Sequence, residues 1–280
     1  MTAKLSVTTR RGIDVEVMTS GPVDGAPVVL FHGFIGPLGG EPLVEALGEA
    51  GLSVFAPVWP GYSDTALGED ELVDMLDFAL HGADIVEAIA SGHGGASHIR
   101  RPPHIVGHSM GGMIAAEMAA LAPHAYSSLV LIAPLGLWLD EHPITDIYTL
   151  LPFQFAPLLF HDEVVGTELM AGRRIDFNDN EAIQRFLINN SRRLGTAGKI
   201  LFPIPNRRLS RRLYRITDPT LIIWGDDDRL LPEPYARAWE HHLPHALQVV
   251  VADAGHMAPY EQTAEVASAI ADFLADAVPG

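Results

Sequence analysis

The chain contains no cysteine, which excludes disulfides, thiolate metal sites and a cysteine nucleophile together. Covalent chemistry must then come from serine, histidine and carboxylates. Basic residues are scarce: 18 Lys and Arg against 35 Asp and Glu leave a formal charge of -17. Such a field repels phosphate backbones and anionic lipid, so the expected partner is a small-molecule substrate rather than nucleic acid or a membrane. Long apolar runs are missing as well. The best stretches, 129–139 and 148–160, are short and broken by Pro or Gly, which predicts no membrane span. The amino end lacks the basic, apolar and small-residue succession of a secretory signal, and this predicts a cytoplasmic location. With 48% hydrophobic and 19% charged residues over 280 positions, the chain reads as globular, with room for one large α/β domain or two small ones.

What is present centres on Gly107-His108-Ser109-Met110-Gly111. It lies between an apolar run, 103–106, and a small-residue helical stretch, 112–121. A strand feeding into a helix through a tight turn leaves little room for side chains, so Gly is wanted at both ends and the Ser is lifted into the open. The Met110 N–H and the positive end of the helix dipole then point at negative charge forming on a carbon bonded to the Ser109 oxygen. This geometry favours acyl transfer.

Before the elbow, residues 5–9 and 13–19 form a predicted hairpin through Arg10-Arg11-Gly12 at the sheet edge. Residues 27–31 are apolar throughout, as a strand buried on both faces requires, and lead into His32-Gly33-Phe34. Open α/β sheets place ligands at such a strand end, which makes the Phe34 N–H the candidate second oxyanion donor. A helix over 41–50 and a strand over 52–56 complete a βαβ unit. In the loop that follows, Trp59 and Tyr62 are candidate pocket residues. Helical spacing predicts a helix over 70–90, with Glu69, Asp70, Glu71, Asp74 and Asp77 as a solvated acidic face near its amino end. Residues 91–97 read as a flexible loop.

After the elbow helix comes a strand over 129–133, and there the alternation stops. Residues 134–216 carry no strong strand signal. They contain many aromatics (Trp138, Tyr148, Phe153, Phe155, Phe160, Phe177, Phe186 and Phe202) and read as a helical insertion lying over Ser109 as a lid. Trp138 and Phe153 are candidates for its inner face. Arg207, Arg208, Arg211, Arg212 and Arg215 gather near its end and are expected to make surface pairs of little weight each. The core resumes with a strand over 220–224 and then Gly225-Asp226-Asp227-Asp228-Arg229. The spacing fits no EF-hand loop, so no metal is expected; one buried Asp orienting a histidine is the better use. A helix over 233–242 and a strand over 246–251 lead to Ala254-Gly255-His256 and a closing helix over 263–275. His256 thereby emerges at the same sheet edge as Ser109.

The order Ser, acid, His, each at the carboxyl end of a strand, lets nucleophile, orienter and base converge. Phe31-His32-Gly33-Phe34, Gly107-His108-Ser109-Met110-Gly111-Gly112, Trp224-Gly225-Asp226-Asp227-Asp228-Arg229 and Gly255-His256 together resemble the α/β-hydrolase superfamily. The resemblance implies an α/β-hydrolase fold, an eight-stranded, mostly parallel sheet flanked by helices, with core residues 1–133 and 217–280 and a helical cap over 134–216. In the family's Trp-Gly-x-x-Asp pattern it selects Asp228 as the acid. The implied site is Ser109, Asp228 and His256, with an oxyanion hole from Phe34 and Met110 and no cofactor or metal. His32, Gly33, Trp59, His108, Trp138, Phe153 and Met257 are expected around the pocket. Dehalogenases and epoxide hydrolases of this fold use Asp at the Ser109 position, which disfavours them. Carbon–carbon hydrolases of ring-fission diketo acids share the cap, but usually carry Asn and Trp where this chain has His108 and Met257. The leading expectation is a serine hydrolase of small to medium, largely apolar carboxylic esters or lactones. A carbon–carbon hydrolase and a small-molecule receptor on the same fold are the alternatives.

Overall fold

The computed structural model describes residues 2–63, 68–91, 101–171, 179–202 and 208–277. Eight strands form one sheet: β1 (Ala3–Thr8), β2 (Asp14–Ser20), β3 (Pro27–Phe31), β4 (Ser53–Pro57), β5 (His104–His108), β6 (Ser128–Ile132), β7 (Thr220–Gly225) and β8 (Leu247–Val251). Their spatial order is β1-β2-β4-β3-β5-β6-β7-β8. β2 pairs antiparallel with both its neighbours, and every pairing from β4 to β8 is parallel.

The continuous apolar character of the inner strands follows from burial on both faces. Along β3, Val29 and Phe31 turn to one core and Val28 and Leu30 to the other; along β5, Ile105 and Val106 divide in the same way. One face is covered by α2 (Met75–Ala90) and α3 (Met110–Leu121), through Phe78, Ile85, Ile89 and Ile114. The other packs on α1 (Pro42–Glu49) and α9 (Thr263–Ala277), through Val44, Leu47, Val266 and Ile270. β8 is an edge strand, with Leu247 and Val250 open to solvent.

From β3 the chain steps to β4 on one side, then returns across β3 to build β5 on the other. The strand order reverses there, and the crevice outside the carboxyl ends of β3 and β5 is where an open α/β sheet takes a ligand. Both His32-Gly33-Phe34 and Ser109 emerge at that crevice.

The helix expected over 70–90 starts later. Asp74 caps it, accepting from the Leu76 and Asp77 N–H groups while Asp77 accepts from the Asp74 N–H, a reciprocal arrangement that fixes the start. Residues 69–71 form a separate short turn, and Leu72 is buried outside the helix. Between β6 and β7 the described residues contain no strand. They include α4 (Phe155–Leu159), α5 (Glu163–Ala171) and α6 (Asn180–Leu201) among short helical turns. The later part of the chain adds α7 (Glu233–His242) and α8 (Ala258–Glu261), a four-residue helix absent from the sequence reading. Phe177, Arg207 and the 92–97 segment lie outside the described residues. No helix among the described residues is long and apolar enough to cross a membrane.

Candidate active site

Ser109 sits between β5 and α3 with φ 56° and ψ −117°, a backbone region that costs an L-residue energy and persists only where its surroundings over-determine it. The surroundings do so. Its N–H donates to Ile132 O at 2.9 Å, and its carbonyl accepts from the Met113 and Leu135 N–H groups at 3.1 Å each. A Cβ at Gly107 would lie 2.5 Å from Gly111 O, and one at Gly111 would lie 2.3 Å from Phe31 O. Only glycine allows the turn to close this tightly against β3.

His256 joins Ser109 to Asp228. The Ser109 Oγ and His256 Nε2 are 2.8 Å apart, and His256 Nδ1 and Asp228 Oδ2 are also 2.8 Å apart. A carboxylate accepts, so Nδ1 carries the hydrogen and Nε2 is left to accept from the Ser109 hydroxyl. Asp228 is itself held: its Oδ1 accepts from the Leu230 N–H at 3.0 Å and the Leu231 N–H at 2.8 Å. The imidazole and the carboxyl group are both buried, which limits competition from water.

Two further histidines brace this chain. His108 Nε2 lies 2.8 Å from the His256 carbonyl oxygen and donates to it, and burial lowers His108 to about 3. His32 accepts from the Trp59 N–H at Nε2 (3.2 Å), so its Nδ1 carries the hydrogen and donates to Gly33 O at 2.8 Å. Burial lowers His32 to about 4. Both rings are neutral near pH 7, fixed as spacers rather than poised to exchange protons.

Phe34 follows Gly33, which approaches the elbow so closely that a Cβ there would be 3.0 Å from Ser109 Cβ. Among the described residues no protein acceptor takes the Phe34 or Met110 N–H. The loop is held from behind. The Gly36 N–H donates to Gly33 O at 3.0 Å, the Tyr62 hydroxyl to Phe34 O at 3.1 Å, and Arg193 Nη1 on α6 to Ile35 O at 2.7 Å. Arg193 is desolvated, and its Nε has no partner among the described residues.

These groups open on a cleft lined in part by His32, Gly33, Phe34, Ser109, His256 and Met257. His108 lines it too, so the cleft gathers seven of the sequence-predicted site residues. Glu41 and Tyr260 lie in the same cleft without having been singled out, because an acid at a helix start and a lone Tyr carry no signal of their own. Arg193 was equally silent as one arginine of a polar helix. Met110 sits behind the elbow as the first residue of α3.

Three expected pocket residues lie elsewhere. Trp59 is core: its ring stacks on Phe31 at 5.1 Å and meets Phe78 at 5.9 Å. Trp138 donates its indole N–H to Asp140 at 2.8 Å and does not line the cleft. Phe153 is 72% exposed on the outside of the 134–216 segment. The arginine cluster also departs from expectation. Arg212 forms a bidentate pair with Glu117, a buried acid on α3, and Arg215 Nε donates to Ala120 O. These contacts fasten the end of the segment to the core. Glu69, expected to face solvent, binds Arg192 of α6 at 2.9 and 3.1 Å.

A family model described as the alpha/beta hydrolase family matches residues 28–269. The dihydrolipoyllysine-residue acetyltransferase component of the acetoin cleaving system of Pseudomonas putida is 29% identical over 266 residues, covering 91% of this chain and 65% of that protein. The 2-hydroxy-6-oxononadienedioate/2-hydroxy-6-oxononatrienedioate hydrolase of Comamonas testosteroni is 28% identical over 188 residues, 62% of this chain and 63% of the relative. The chain thus spans just under two thirds of the length of the first curated relatives it matches. Among solved structures, a meta-cleavage product hydrolase from Pseudomonas fluorescens IP01 superposes with a TM-score of 0.73 at 21% identity, covering 98% of each chain; it speaks for the fold alone. With the eight-stranded sheet and the family match over most of its length, this chain belongs to the alpha/beta hydrolase family.

Proposed function

We propose that this chain is a serine hydrolase that cleaves a small to medium, largely apolar carboxylic ester or lactone through an acyl-enzyme on Ser109. The observation that carries the reading is the unbroken hydrogen-bonded line from Asp228 through His256 to Ser109, with both links at 2.8 Å. His256 Nε2 takes the hydroxyl proton as Ser109 Oγ bonds to the substrate carbonyl carbon, and Asp228 stabilises the imidazolium. The carbonyl oxygen becomes an oxyanion received by the Phe34 and Met110 N–H groups, each such donor being worth about 3 kcal/mol in related chemistry. Collapse breaks the bond to the alcohol oxygen, which leaves with the proton from His256. Water, deprotonated by His256, then attacks the acyl carbon and returns Ser109 with release of the acid. No step needs a metal or cofactor, and the acidic chain is expected to take neither nucleic acid nor membrane as partner.

On this reading residues 134–216 act as a cap. Its support is that the segment meets both walls of the cleft: Arg193 donates to Ile35 O, and the Met257 N–H donates to Leu159 O at 3.0 Å.

Hydrolysis of p-nitrophenyl esters of increasing acyl length tests the proposal. The parent is expected to show a chain-length optimum, and Ser109→Ala to lower turnover by about a millionfold. Full activity in that variant would overturn it. A second reading, carbon–carbon hydrolysis of a vinylogous diketo acid, is favoured by the buried Arg193 with its free Nε beside the oxyanion loop. Turnover of such an acid by a parent inert to all the esters would move this reading to the front.

A further inference from the structure

Glu41 is placed like a helix cap and does not act as one. It occupies the residue before α1, where a short polar side chain would accept from the first helical N–H groups, yet it makes no such bond. Its carboxyl group turns instead into the cleft that holds Ser109 and His256. Oε1 is fully engaged there, accepting from the Tyr260 hydroxyl at 2.6 Å and from the Leu38 N–H at 3.3 Å. No group among the described residues donates to Oε2. The neighbouring walls are apolar: Leu30, Pro42, Leu43, Ile132 and Pro259. Glu41 is partly buried, so Oε2 stays open to the cleft and free to take a donor that enters it.

From this arrangement we infer that Glu41 is the specificity-determining residue of the cleft and binds a hydroxyl group on the acyl chain of the substrate. The inference rests on the acyl-enzyme reading. Phe34, Glu41 and Ser109 line the same cleft, which places Oε2 on a wall open to an acyl chain carried by Ser109. A hydroxyl fits this setting better than an ammonium. Apolar walls penalise a full charge far more than a neutral polar group. The carboxyl is itself raised to about 7 by burial, against the lowering effect of its Tyr260 and Leu38 bonds. Near neutrality it is divided between an acid, which donates to a hydroxyl, and an anion, which accepts from one. Both forms hold a hydroxyl; only the anion holds an ammonium. Two of the cleft's histidines, His32 and His108, are held neutral by burial and supply no cation for it.

The test compares paired p-nitrophenyl esters, butyrate with 3-hydroxybutyrate and hexanoate with 6-hydroxyhexanoate, in the parent, Glu41→Leu and Glu41→Gln. The ratio of kcat/KM within a pair cancels any loss common to both members. The parent is expected to prefer the hydroxylated member of at least one pair by roughly tenfold, the scale of one hydrogen bond in a partly desolvated site. Glu41→Leu is expected to abolish the preference. Glu41→Gln should keep part of it, because the amide oxygen can retain the Tyr260 and Leu38 bonds while the amide nitrogen donates to the hydroxyl. Should Glu41→Leu fail to fold, Glu41→Ala takes its place. A preference that survives in the Leu or Ala variant, or a parent that favours 6-aminohexanoate over 6-hydroxyhexanoate, overturns the inference. A parent that hydrolyses the plain esters without hydroxyl preference in either pair also overturns it and leaves the acyl-enzyme reading standing. Failure on every ester removes the reading itself.

Discussion

Asp228 and Glu41 both lie at the carboxyl edge of the sheet, one after β7 and the other in the loop after β3, and the fold treats them differently. Asp228 spends both oxygens on the protein, with two backbone N–H groups on Oδ1 and His256 on Oδ2. Glu41 commits only Oε1, to Tyr260 and Leu38. A buried acid with every acceptor site used serves geometry, since moving it breaks several bonds at once. One left half-open keeps a polar contact in reserve for whatever enters. The same contrast separates two arginines of the 134–216 segment. Arg212 is bound to the carboxylate of Glu117, whereas Arg193 has backbone and amide acceptors and no carboxylate partner among the described residues.

The largest effect that would break the comparison comes from Asp228→Asn. The amide preserves shape and can still take the Leu230 and Leu231 N–H groups, but its NH₂ group can donate to His256 Nδ1. That favours the tautomer with hydrogen on Nε2, which cannot accept the Ser109 proton. Turnover of p-nitrophenyl butyrate is expected to fall about ten-thousandfold, with the thermal midpoint checking that the fold persists. A variant with near-parental kcat would show that Asp228 is not the orienting group. Arg193→Met should act more mildly. Removing the bond to Ile35 O lets the Phe34 peptide drift, so kcat is expected to drop roughly tenfold to a hundredfold, with a smaller change in KM. A rise in KM alone on plain esters would move Arg193 from positioning the loop to binding substrate.

Much of this was legible in the chain because it is written in backbone constraints. The inner strands announced themselves as apolar runs, since both faces are covered. Ser109 was legible through glycines that no other residue can replace at 2.3–2.5 Å approaches. Asp228 and His256 were legible from their places after strands. Apolar spacing over 70–90 continues through Leu72, whereas Asp74 sets the start of the helix locally, so spacing alone begins it too early. Trp59 was ambiguous for a different reason: an aromatic in a loop can turn to either side, and the Phe31 and Phe78 rings decide which. Arg193 and Glu41 act on the site through hydrogen bonds to partners 158 and 219 positions away, which leave no periodicity to read. Tyr62, expected as a pocket residue, does not line the cleft and instead braces Phe34 O from 28 positions away.

The smallest effect sharpens the comparison through pH. Burial lowers His32 and His81, a buried residue of α2, to about 4 and His108 to about 3. Below an unfolded value near 6.5 the unfolded chain binds these protons and the folded one does not, so stability present above that pH is lost as the medium falls toward 4. Glu41 works in the opposite direction. Its folded carboxyl holds a proton up to about 7, against an ordinary value of 4.5. The stability it contributes is complete below 4.5 and is lost as pH rises through 7. Glu41→Gln cannot ionise, keeps the acceptor for Tyr260, and removes only this alkaline loss. The variant should therefore match the parent near pH 4.5, gain on it up to about pH 7 and level off above that, by about 1 kcal/mol in all after allowance for solvent screening of a partly buried group. In a thermal scan that is a Tm difference of roughly 2–4 °C, growing with pH. If the Glu41→Gln difference stayed flat across that range, Glu41 would be an ordinary solvated acid, and the distinction between a carboxyl that holds the site together and one that waits for the substrate would fall with it.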